Sequence, residues 1–103
     1  MLEIQKRIKE FVEANNLKAK PEFRMLDIVS ETGEVAKEIL KMTDYGRKEE
    51  EYNDKIEGEV GDLLFSLMCL ANNYGIDVEK ATSSVLEKYE KRLKKGSAGS
   101  EVE

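Results

Sequence analysis

The chain has 103 residues, 38% charged and 40% hydrophobic, with 17 Lys and Arg against 22 Asp and Glu for a formal net charge of −5, which suits one small domain with a charged surface. It has no His and one Cys, Cys69, so imidazole-assisted nucleophiles, zinc sites of thiolate or imidazole and an internal disulfide are excluded. The acidic balance, with no basic face dense enough to neutralise phosphates in series, argues against a duplex nucleic-acid partner.

Apolar residues recur every three to four positions, there is one Pro, and no stretch alternates in the manner of a strand, so an all-α domain is expected over 1–95. The first helix is predicted from Leu2 to Asn15, with Ile4, Ile8, Phe11 and Val12 as its buried stripe. Nothing in Met1 to Arg7 reads as a signal sequence. Pro21 fits the first turn of a second helix that carries Phe23, Leu26, Val29, Ala36 and Leu40 toward Met42, and Gly46 marks a turn. The polar stretch from Arg47 to Asn53 leads into or begins a third helix, stopped near Tyr74 by Gly75. The nearly apolar run from Leu63 to Ala71 in that helix is about half the length of a membrane span. A cytoplasmic chain with no membrane partner is therefore expected. Asp77 can cap a fourth helix with Val78, Ala81, Val85, Tyr89 and Leu93 on one stripe and a basic end, Lys91 to Lys95. Residues 96–103 read as a flexible tail.

Two acidic stripes carry the chemistry. On the second helix Asp27, Glu31, Glu34 and Glu38 fall in file, and like charges one turn apart repel. On the third, Glu59, Asp62, Ser66, Cys69 and Asn73 share a narrow stripe while apolar side chains cover nearly all the remaining circumference. A helix apolar all round is buried, and carboxylates on it need a cation. Lys from another helix would serve. So would a divalent ion between the helices, and an all-oxygen ligand set without His or thiolate suits Mg²⁺, with Mn²⁺ as a substitute. An iron site built on Glu-x-x-His pairs is disfavoured by the absence of His. The cations available to meet phosphates are Arg47 and Lys48, and on the fourth helix Lys88, Lys91, Arg92, Lys94 and Lys95.

The segments from Ser30 to Glu38 and from Glu57 to Leu64, the second reading Glu-Gly-Glu-Val-Gly-Asp-Leu-Leu, together resemble the MazG-type nucleotide pyrophosphohydrolases. The likeness extends from the first helix to the basic end of the fourth. It implies a four-helix MazG-like bundle that assembles through its helices as a homodimer or homotetramer. It further implies Mg²⁺-dependent hydrolysis of a nucleoside triphosphate, ribo or deoxy, to the monophosphate and pyrophosphate. Such an activity serves nucleotide-pool house-cleaning. Matched to the family's Glu-Glu-x-x-Glu and Glu-x-x-Asp signature, Glu31, Glu34, Glu59 and Asp62 take the places of metal ligands, while Ser30 departs from the acid often found there. The segment Lys88-Tyr89-x-x-Arg92 is similar to the basic helix that meets substrate in relatives.

On that reading Glu34 or Glu38 takes a proton from the attacking water. Lys48, Asn73, Lys88, Tyr89 and Arg92 meet the substrate, and Phe11 and Tyr89 wall the nucleoside. The small chain and its largely apolar third helix also call for a partner subunit on physical grounds. The rival expectation is a non-catalytic helical interaction module whose acidic stripe binds a basic surface.

Overall fold

The computed structural model describes residues 1–96, which form four helices and, among those residues, no strand: α1 (Glu3–Ala14), α2 (Pro21–Met42), α3 (Lys55–Asn73) and α4 (Val78–Lys94). The all-α expectation holds. Beyond Gly96 the expected tail lies outside the described residues.

Each helix ends where local chemistry dictates. α1 closes with Asn16 in the left-handed region at φ +56° and the Leu17 N–H donating to the Val12 carbonyl at 2.9 Å, so a residue tolerant of that conformation satisfies an orphan carbonyl. Pro21 occupies the first turn of α2, where its missing N–H costs nothing. Gly75, at φ +65°, lets the Ile76 N–H return to the Ala71 carbonyl and stop α3. Asp77 caps α4, its Oδ1 accepting from the Glu79 and Lys80 N–H groups at 3.0 and 3.3 Å. The polar stretch after Gly46 leads into α3 and is not part of it. There the Glu51 N–H is drawn back to the Met42 carbonyl, and Asn53 Oδ1 accepts from the Lys55 N–H at 2.9 Å to start the helix.

α3 is the central element. α1 runs antiparallel to it, with Ile8 and Val12 against Met68 and Cys69, and with the Phe11 and Phe65 rings edge to face at 6.3 Å. α2 packs against α3 more extensively, also antiparallel. α4 is held at its start. Gln5 of α1, fully buried, donates to Asn72 Oδ1 at 2.9 Å and to the Ile76 carbonyl at 2.7 Å, and accepts from the Val78 N–H at 3.1 Å. The Met1 ammonium adds a contact to Asp77 Oδ2 at 3.2 Å.

Beyond that clamp α4 buries none of its residues. Much of the apolar surface of α2, α3 and α4 is exposed in the single chain. Phe23, Leu26 and Val29 of α2 are 57, 64 and 61% exposed, Val60, Leu64 and Leu67 of α3 are also exposed, and so are Val85, Leu86 and Leu93 of α4. α3 is thus not enclosed by the described residues. Its inward strip is the one carrying Ser66 and Cys69, at 5 and 4% exposure, while much of its apolar circumference faces outward. The radius of gyration of 17.0 Å exceeds the roughly 13 Å of a closed domain this long.

The Gln5→Ala variant removes three hydrogen bonds and leaves the Ile76 carbonyl and Val78 N–H without their partner, so it should lower stability by about 2–4 kcal/mol in urea unfolding. In hydrogen exchange the first turn of α4 should lose protection before α2 does.

Candidate metal centre

The antiparallel pairing of α2 and α3 brings Glu31 opposite Glu59 and Asp62. One carboxylate oxygen from each can be chosen so that all three lie within 4.8 Å of one another. Glu59 and Asp62, three residues apart, project from one face of α3, and Glu31 meets them from α2. Glu31 and Glu59 are half-buried and Asp62 is exposed, so the cluster is open to solvent on one side.

No ion pair among the described residues involves these three carboxylates. Burial, and then the negative charges of Asp62, Glu59, Glu34 and Asp27 in that order, push the Glu31 carboxyl above its ordinary value of 4.5. Such a group is short of positive charge. Oxygens on opposite sides of one hard divalent ion, each about 2.0–2.6 Å from it, are about 4–5 Å apart, so the separation and the all-oxygen chemistry both fit an ion of the Mg²⁺ or Ca²⁺ kind.

The other expected residues are distributed. Glu34 lies one turn beyond Glu31, outside the three-carboxylate group yet near enough for its charge to act on Glu31. Glu38 is buried, with Oε2 3.6 Å from Lys41 Nζ. Lys48 sits in the α2–α3 connection, 3.1 Å from Glu51. Asn73, at the other end of α3, donates to the Ala19 carbonyl at 3.2 Å. Lys88 and Arg92 flank the Tyr89 ring on α4, 5.5 and 5.9 Å from its centroid. Phe11 lines a groove with Ile4, Ile8 and Phe65, apart from the cleft that Asn73 lines.

The sequence reading missed Arg24. It is 9% exposed, donates to the Leu17 carbonyl at 2.6 Å and stands 3.8 Å from Asp27. It lines a cleft of about 450 Å³ between α1 and α2. The available signal was the series Lys18, Lys20 and Arg24 around the Pro21 start of α2, where a helix disfavours cations.

Residues 19–97 match the model of the MazG nucleotide pyrophosphohydrolase domain. The chain belongs to this family. The MazG match covers α2, α3 and α4 and so includes every carboxylate of the cluster. A MazG protein conserved in Bacillus, described as a nucleotide pyrophosphohydrolase, has a crystal structure that superposes with a TM-score of 0.70 at 31% identity, over 84% of each chain. The structure of the putative pyrophosphatase YpjD of Bacillus subtilis matches with a TM-score of 0.70 and 32% identity, over 84% of this chain and 90% of that one. In sequence, the uncharacterised protein YpjD of Bacillus subtilis strain 168 is 38% identical over 73 residues. That stretch is 68% of this chain and 64% of the relative, so the likeness spans a little under two thirds of YpjD.

The raised Glu31 carboxyl has a definite sign in stability. Its folded value lies above its unfolded one, so its favourable contribution is complete below about pH 4.5 and is lost as pH rises through the folded value. Without divalent ions, Glu31→Gln should melt at about the same temperature as wild type at the acid end and above it at pH 7. Added Mg²⁺ should raise the melting temperature of wild type and not that of the variant.

Proposed function

We propose that the chain is a Mg²⁺-dependent nucleoside triphosphate pyrophosphohydrolase that splits ribo- or deoxynucleoside triphosphates into monophosphate and pyrophosphate. Membership of the family supports a nucleotide pyrophosphohydrolase. The observation that carries the finer reading is the group of Glu31, Glu59 and Asp62, three carboxylates drawn together without a cation.

Glu31, Glu59 and Asp62 would hold the ion, with Glu34 available as a fourth ligand. A divalent ion bound there would supply positive charge for a polyphosphate and the departing pyrophosphate. A water oxygen attacks the α-phosphorus, the bond from that phosphorus to the bridging α–β oxygen breaks, and the electron pair leaves with pyrophosphate. The water's proton passes to a carboxylate. Glu34 is better placed than Glu38 for that task, because Glu38 is buried beside Lys41. Lys88 and Arg92, both near the Tyr89 ring, supply positive charge toward the substrate phosphates. Lys48 and Asn73 are assigned to substrate contact at the two ends of the α2–α3 pair.

Assembly belongs to the same proposal. The exposed Leu26, Val29, Leu64, Leu67, Leu86 and Leu93 leave three helices with apolar surface that a second copy of this chain would cover, as a homodimer or homotetramer. No helix among the described residues is long and apolar enough to cross a membrane. We place the activity in the cytoplasm, as house-cleaning of the nucleotide pool.

Pyrophosphate release from a panel of ribo- and deoxynucleoside triphosphates should require Mg²⁺ and should fall at least about a hundredfold in Glu59→Gln, which deletes one charge from the ion site. Glu34→Gln should lower kcat strongly, whereas Glu38→Gln should retain most turnover. Equal loss in the two would reassign the base. No release from any nucleotide by folded wild-type protein would favour the helical interaction module. Light scattering should give a mass that is a whole multiple, two or four, of the single chain.

A further inference from the structure

The cleft between α1 and α2 carries charge that the pyrophosphohydrolase reading does not use. Lys9 reaches it from α1, Lys18 and Lys20 from the connection, and Arg24 from α2, with Cys69, Asn72 and Asn73 as its floor on α3. Four cations face one carboxylate, Glu13, in a protein whose formal net charge is −5. No ion pair among the described residues involves Lys9, Lys18 or Lys20.

The other polar groups of the cleft are engaged or neutral. Asn72 is bonded to Gln5 through both amide atoms, and the Asn73 amide donates to the Ala19 carbonyl. Burial pushes the Cys69 thiol up, so it faces the cleft uncharged. Arg24 is fixed by the Leu17 carbonyl, and its 3.8 Å contact with Asp27 neutralises it only in part. The cations also gather at the start of α2, which no side chain caps, where the helix dipole already contributes positive charge. That arrangement favours an anion in the cleft.

We propose that this cleft is a second phosphate-binding subsite, separate from the carboxylate cluster, that takes a phosphate or pyrophosphate group. Arg24 lies seven residues before Glu31 on α2 and Cys69 seven residues after Asp62 on α3. The cleft therefore lies about 10 Å from the cluster, on the same faces of both helices. This register admits two sources of one chemistry. The group can be a free anion, or a phosphate on the sugar of a nucleotide whose triphosphate lies at the cluster. The second source rests on the proposed function; the first does not.

The test is calorimetric titration of inorganic pyrophosphate into the full chain, freed of divalent ions and at constant ionic strength, so that the carboxylates repel the probe. Wild type should bind saturably, one per chain. Lys18→Gln with Lys20→Gln, both exposed positions, should weaken binding about tenfold, whereas Lys55→Gln with Lys80→Gln, an equal change of net charge elsewhere, should alter it less than about twofold. Absence of saturable binding, or equal weakening by both pairs, overturns the proposal. Turnover then separates the sources. A lower KM for a 3′-phosphorylated nucleoside triphosphate than for its parent, lost in the Lys18/Lys20 pair, supports the substrate-borne group. Equal KM values alongside calorimetric binding support the free anion. Binding needs no hydrolysis, so a chain that binds pyrophosphate and splits no nucleotide would keep the subsite and lose the enzyme reading.

Discussion

The packing of α2 against α3 sets like charges against each other. Antiparallel alignment is the most extensive contact in the chain, and at its middle it faces Glu31 with Glu59 and Asp62. A pair of helices free to choose would slide or rotate such residues apart, since repulsion across a half-buried seam is weakly screened. Apolar and small side chains further along the seam, among them Ser66 and Cys69, oppose that movement by what they bury. The scaffold therefore brings the carboxylates together through the packing of the two helices. That is preorganisation, and the raised Glu31 carboxyl is its electrostatic record.

The second constraint is the size of the chain. A domain this short has little interior, and what it has is concentrated around Ile8, Val12, Met68 and Cys69 where α1 meets α3. The remaining apolar residues of α2, α3 and α4 lie outside that nucleus. α4 illustrates the consequence. Gln5 and Asp77 fix its starting point and direction, but its Val85, Leu86 and Leu93 are exposed among the described residues. The same helix carries Lys88, Tyr89 and Arg92. Its apolar surface and its basic group thus travel together, so covering the first also determines where the second is delivered.

Much of this was legible in the residues. These helix starts and stops needed only Asn16, Pro21, Gly75 and Asp77, whose backbone or capping preferences are local, and the acid pairs needed only the helical period. What periodicity does not reveal is which neighbour a stripe faces. The stripe of Phe23, Leu26 and Val29 has the spacing of a core face, yet these residues are exposed, because spacing reports a shared side and not what lies opposite it. The all-round burial expected of α3 failed for the same reason. Its strip carrying Ser66 and Cys69 faces inward, while Val60, Leu64 and Leu67 are exposed. Gln5 was invisible for a different cause: its partners are 67 to 73 positions away, and a lone Gln on an amphipathic helix gives no sign of a long-range clamp.

The seam between α2 and α3 also orders charge along its length. Acidic groups dominate from Asp27 through Glu38, and basic groups dominate from Arg24 back through Lys18. The two zones meet at Arg24 and Asp27, one turn apart and 3.8 Å from each other. Since α2 starts at the basic end, its dipole runs with this polarity and strengthens the positive zone. A ligand of uniform charge is attracted by one zone and repelled by the other. A nucleotide bridged to a divalent ion presents both signs: a cation for Glu31, Glu59 and Asp62, and phosphate oxygens beyond it. The seam therefore presents opposite charges along its length. This charge order follows from the order of residues, because exchanging Arg24 and Asp27 would leave composition and net charge untouched while interleaving the two zones where they meet.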